Sequence, residues 1–187
     1  MILLDIIKYA ATMLSKNAVL GYVTAEGGYN ETNSYQPDMK TAINLSNMVI
    51  KELALAYIPI TKKESVVFVN GLFDTTDLSE NVRNIIRLTD AEGKDVPFKV
   101  EGEYMRASVT GAVIEYSYIP DDYSPTQVIG YTDKDISPVV LAYGLCAEWC
   151  IVDGRFDEAV MWHKRYMDKI AAMLPPKNVT VKKRSFI

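Results

Sequence analysis

The spacing of apolar residues changes twice along this chain, and no other feature restricts its possible folds as strongly. Up to Tyr57 apolar side chains recur every third or fourth position, from Ile58 they tend to alternate, and after Ser137 the three-and-four spacing returns. The first spacing puts a stripe on a helix and the second puts one face of a strand against a core. The chain is therefore expected to be α+β, with a β module at 58–134 inserted between two pairs of helices. Its 187 residues, 49% of them apolar, suffice for one hydrophobic core, so residues 1–174 read as a single domain. Residues 175–187, opened by Pro175-Pro176, read as an extended arm.

The first helix is predicted over 2–15, where Leu3, Ile6, Ile7, Ala10 and Leu14 share a face. Residues 20–36 collect Gly21, Gly27, Gly28, Asn30 and Asn33 and read as a long surface loop. Pro37 suits the first turn of a helix over 37–57, with Ala42, Leu45, Val49, Leu53 and Ala56 on one face. Ile43, Met48, Ile50 and Leu55 widen that stripe, so this helix should be covered on more than one side, by its own domain or by neighbouring subunits. Ser137 and Pro138 form an N-cap and first-turn pair for a helix over 137–152, which carries Leu141, Leu145, Trp149 and Val152. Asp153-Gly154 turns it into a last helix over 155–174, with an apolar stripe of Phe156, Val160, His163, Met167, Ile170 and Leu174.

Between the helices, residues 66–69 form a β-branched and aromatic run that stops at Asn70-Gly71. Val82, Asn84, Ile86 and Leu88 alternate with their neighbours. After a turn containing Gly93 come Val96, Phe98 and Val100, and the two segments read as a hairpin. Strands at 104–109 and 112–119 follow, the second with Ile114, Tyr116 and Tyr118 on one face. Together these segments are expected to make one compact antiparallel sheet.

No residue set announces chemistry. Cys146 and Cys150, the only cysteines, stand four apart in a helical pattern, too few for a zinc site and poorly placed for a disulfide, so they read as reduced, buried and small. His163, the only histidine, has no evident nucleophile or orienting acid and reads as a packed or interface residue. Gly27-Gly28 lacks a phosphate-binding pattern, and Asp74, Asp77, Asp121, Asp122, Asp133 and Asp135 lack the calcium-loop spacing, so turns and caps account for them. No enzyme activity, cofactor or metal is expected.

A net charge of −4 and a pI near 5.1 argue against a broad nucleic-acid surface. The charge is uneven: the last thirteen residues hold Lys177, Lys182, Lys183 and Arg184 and no acid. Val179, Val181, Phe186 and Ile187 lie among these cations and give the arm apolar anchors, so it reads as a partner-binding segment that adds to a partner as a strand. The N-terminus lacks a basic, apolar signal pattern, and no apolar run approaches the ~18 residues of a membrane span, so a soluble product made in the cytoplasm is expected.

The hairpin at 137–174, with Ala147, Trp149, Asp153-Gly154-Arg155, Glu158-Ala159, Trp162 and Tyr166, resembles that of head-to-tail connector (adaptor, or head-completion) proteins of tailed bacteriophages. The layout of nearly the whole chain is similar to their longer type, which includes podovirus tail tubular proteins and has a β module interrupting a helical bundle. The resemblance implies a structural subunit of the virion neck, assembled in the host cytoplasm. It implies a ring, commonly a dodecamer, that binds the portal and receives tail or nozzle proteins, with DNA passing through unbound and no membrane involved. Under it, Ile43, Ile50, His163 and Met167 are expected at subunit packing surfaces, and Lys177, Val179, Val181, Lys182, Lys183, Arg184, Phe186 and Ile187 at the partner interface. Two other readings stand beside it: a tail terminator or tail-completion ring, and a small-ligand or carbohydrate-binding module using a tyrosine-rich sheet edge at Tyr116, Tyr118, Tyr123 and Tyr131.

Overall fold

A computed structural model describes residues 1–24, 29–131 and 136–174, and they form an α+β fold. Five α-helices appear: α1 (Leu3–Met13), α2 (Asn17–Thr24), α3 (Pro37–Glu52), α4 (Pro138–Val152) and α5 (Phe156–Met173). Six strands lie between α3 and α4: β1 (Ile60–Val67), β2 (Leu72–Asp74), β3 (Val82–Thr89), β4 (Phe98–Glu101), β5 (Tyr104–Ala107) and β6 (Gly111–Tyr118). The α+β class follows the periodicity, but three α-helices rather than the expected two precede the β module among the described residues.

Helix α4 is the centre of the bundle. It is buried on nearly every side, through Val140, Leu141, Leu145, Cys146 and Trp149 among others, with α1, α3 and α5 packed around it. Its start is built as its sequence predicts: Ser137 Oγ accepts from the Val139 amide at 3.3 Å, and Pro138 occupies the first turn. Gly144 is where three helices meet. A methyl group there would come within 2.6 Å of Val49 Cγ1 on α3 and 3.3 Å of the Tyr166 ring on α5. Only glycine permits that approach without moving a stiff β-branched neighbour.

Three local expectations are corrected. The predicted loop at 20–36 holds the end of α2 and a short 3₁₀ helix, Glu31–Tyr35, because Val19, buried on α2, draws that segment into the core. Helix α3 runs into a π-helical turn, Leu53–Tyr57, closed by the Ile58 amide on the Leu53 carbonyl at 2.8 Å. The wider turn rotates the stripe, so Ala54 is buried while Leu55 and Ala56 face outward. On α5 the core face is Ala159, Trp162, Tyr166 and Ile170, and Phe156, Val160 and His163 are exposed. The large aromatic rings gain more by burial than Val160 or His163 would, and Trp162 stacks on Tyr143 with ring centres 5.8 Å apart.

The β module is two three-stranded antiparallel sheets, ordered β1-β6-β3 and β2-β5-β4, rather than one. The expected hairpin between residues 82–88 and 96–100 does not form as such. β3 pairs with β6, β4 pairs with β5, and only a single bridge, Thr89 to Asp95, joins the two segments. β6 dominates because Ala112, Ile114, Tyr116 and Tyr118 give it a continuous buried face, which recruits a long partner on each side. Register shifts between Val82 and Asn84 and between Ile85 and Arg87 reset the alternation of β3, turning Leu88 inward and leaving Ile86 exposed. The module is fastened to the bundle by Asn47 of α3. Its amide donates to the Tyr123 carbonyl at 3.1 Å and accepts from the Tyr123 amide at 2.8 Å.

Candidate interaction surfaces

Two surfaces and one polar cluster stand out. The first surface is the elbow between α4 and α5. Val152, Phe156 and Val160 are 61%, 66% and 71% exposed, and Ile151 and Met161 are also exposed. The elbow backbone is held firmly. Gly154 takes φ +74°, Lys16 pairs with Asp153 at 2.8 Å and lies over the Trp149 ring, and the Arg155 guanidinium pairs with Glu158. Several large apolar side chains left uncovered around one turn make this corner a candidate surface for meeting another chain.

The second surface is an open cleft of about 660 Å³ in the β module. Its lining includes the apolar Leu78, Val82, Ile85 and Val100 and the acidic Glu80, Glu103 and Asp121. Glu80 is paired with Lys62 at 3.0 Å; Glu103 and Asp121 have no cation partner among the described residues. A smaller groove shares Glu80 and Asp121 and extends the cleft toward Gln127 and Val128.

The polar cluster beside this cleft joins Lys62, Glu64, Ser79, Glu80 and Tyr116. Ser79 Oγ touches Lys62 Nζ and donates to Glu64, a contact that resembles an activated hydroxyl. Its charges are set the wrong way for that role. The hydrogen bond to Glu80 leads the effects that raise the Lys62 pKa, so the amine stays protonated. Burial alone would raise Glu64, but hydrogen bonds from Ser79 and Tyr116 outweigh it and hold the carboxyl at about 2. Burial, with the Glu64 carboxylate beside it, pushes the Tyr116 phenol up to about 12. Neither a free amine nor a basic carboxylate faces Ser79 at neutral pH, and the cluster acts as a clamp between β1, β6 and the 3₁₀ turn before β3.

The positions singled out by sequence are scattered. Ile50 is fully buried within the single chain, so it packs the core and is unavailable to a neighbouring subunit. Ile43 and Met167 are half-buried and His163 is exposed, its ring 6.4 Å from that of Tyr166. Tyr116, Tyr118, Tyr123 and Tyr131 are all buried, so they form core and offer no aromatic platform at a sheet edge. Tyr131 donates to the Ile58 carbonyl and Tyr123 accepts from the Gly130 amide, which explains their place inside. Cys146 and Cys150 are free and buried, and burial pushes the Cys146 thiol up to about 12. Asp74 caps a 3₁₀ turn by accepting from the Thr76 amide, and Asp122 pairs with Lys51. Asp133, Asp135, Gly27, Gly28 and the whole arm at 175–187 lie outside the described residues.

Among the described residues no group of three or more His, Cys, Asp or Glu side chains is arranged to hold a metal ion, and no helix is long and apolar enough to cross a membrane. Sequence reasoning missed the elbow as an outward surface. The signal was present, since α5 carries two competing stripes, Phe156/Val160 and Trp162/Tyr166, and one helix buries only one of them. The cleft had no such signal, because it joins residues from separate strands and turns. No family model matches the chain, and no curated protein matches its sequence.

Proposed function

We propose that this chain is a structural subunit of a tailed-phage neck, forming a ring that joins the portal to the tail and encloses the DNA exit path. The observation that carries the reading is the apolar elbow at Val152, Phe156 and Val160, uncovered in the single chain. Ring subunits make contacts between two unlike surfaces, so the elbow would seat on a different face of the next copy, with Ile43, His163 and Met167 as further contact positions. Three features support the reading: the order of helices, β module and helical hairpin found in the connector family, the polar cluster tuned away from catalysis, and the net negative charge. A charge of −4 suits a channel through which DNA slides without being held.

Mass measurement of the native protein, alone and mixed with a portal assembly, tests it. The expected result is a discrete closed oligomer that binds the portal. A strict monomer that ignores the portal sinks the reading, and a ring that binds tail-tube protein instead replaces it with a tail terminator.

A further inference from the structure

The cleft in the β module touches every residue from 81 to 85 in turn. Register shifts break the strict alternation of β3 here, and the cleft follows what is the outer strand of its sheet. β6 occupies one edge of β3, and from Val82 to Arg87 no described residue pairs its backbone on the other. Eight-residue edge strands left open are templates for another strand, and proteins ordinarily blunt or cover them. The cleft along this edge is lined by apolar Leu78, Ile85 and Val100 and by the carboxylates of Glu103 and Asp121.

The chain itself contains a segment of complementary chemistry. Residues 177–187 read Lys-Asn-Val-Thr-Val-Lys-Lys-Arg-Ser-Phe-Ile, with β-branched residues running from Val179 to Val181, four cations and no acid. Extended, the thirteen residues from Pro175 reach on the order of 40 Å, ample for an edge strand of β3's length. We propose that the free edge of β3 takes the chain's C-terminal segment as a fourth strand, with Val179 and Val181 directed to the apolar lining and Lys182 and Arg184, on the other face of the added strand, toward Glu103 and Asp121. This site does not depend on the neck reading, because a filled β3 edge is equally compatible with a protein that never meets a phage portal.

Hydrogen exchange of the full-length protein tests it, since the amides of residues 82–87 that β6 does not engage become hydrogen-bonded only if the edge is filled. Comparison with Val181→Pro, which removes a strand donor from the arm, should show those amides exchanging at least tenfold faster in the variant while the α4 amides are unchanged. A charge swap supplies the second arm: Lys182→Glu with Arg184→Glu should lose the protection, and adding Glu103→Lys with Asp121→Lys should restore part of it. Protection that persists on dilution supports the chain's own segment as occupant, and protection that falls on dilution overturns it in favour of a second copy. Equal exchange in the parent protein and Val181→Pro overturns the proposal. So does an arm that protects duplex DNA and leaves the β3 edge unchanged.

Discussion

Glu64 illustrates how much a single side chain on the β module does. On β1 it accepts from the Ser79 amide and hydroxyl and from the Tyr116 phenol, and Lys62 lies 3.4 Å away. Its pKa falls from an ordinary 4.5 to about 2 because those donors outweigh the burial that opposes them. A carboxyl whose folded pKa lies below its unfolded one stabilises the fold fully above pH 4.5 and loses that contribution as pH drops toward 2. The melting temperature of the parent protein should therefore fall more steeply between pH 5 and pH 2.5 than that of Glu64→Gln, the two curves converging at the acid end. Parallel curves would show that Glu64 adds nothing specific. Nothing in the sequence marks Glu64 out, because its donors come from fifteen and fifty-two residues away. Ser137 was legible for the opposite reason: its cap closes on Val139, two residues along.

Elements were easier to read than their partners. Helices α1, α3, α4 and α5 follow from stripes, caps and the Gly154 turn, all of which act within one or two turns of chain. The strands were visible in outline as well, but pairing was not, since β3 is bound to β6 by burial across the module and not by the nearby turn at Gly93. The clamp of Asn47 on Tyr123 belongs to the same class of long-range contact, tying the segment after β6 to α3 across seventy-six residues. Replacing it by leucine keeps the volume roughly but strips the Tyr123 amide and carbonyl of their buried partner. Each orphaned group costs about 1–3 kcal/mol, so Asn47→Leu should lose roughly 2–6 kcal/mol and shift urea unfolding to a lower midpoint. An unchanged midpoint would mean the β module is held to the bundle by apolar contacts alone.

At the scale of the whole molecule the question is which apolar surface is internal and which is left for another chain. The periodicity of α5 shows that surplus apolar surface exists but not its direction, because helical spacing alone ranks Phe156 and Val160 level with Trp162 and Tyr166. Packing against α4 separates them: Gly144 opens room for the Tyr166 ring and Tyr143 stacks on Trp162, which leaves Phe156 and Val160 outside. Both are more than 60% exposed, so changing them removes little packing from the single chain. The double variant Phe156→Asp with Val160→Asp should therefore keep the helical signal and melt within a few degrees of the parent protein. In a subunit interface the same change buries two unpaired carboxylates, a penalty large enough to prevent closure of a ring. If the proposed ring forms, native mass measurement should find the parent protein oligomeric and the variant monomeric, whereas Ile50→Asp, a charge placed in the core, should unfold the chain outright. A double variant that forms the same oligomer as the parent protein would move the proposed subunit contact from the elbow to another face, such as that of half-buried Ile43.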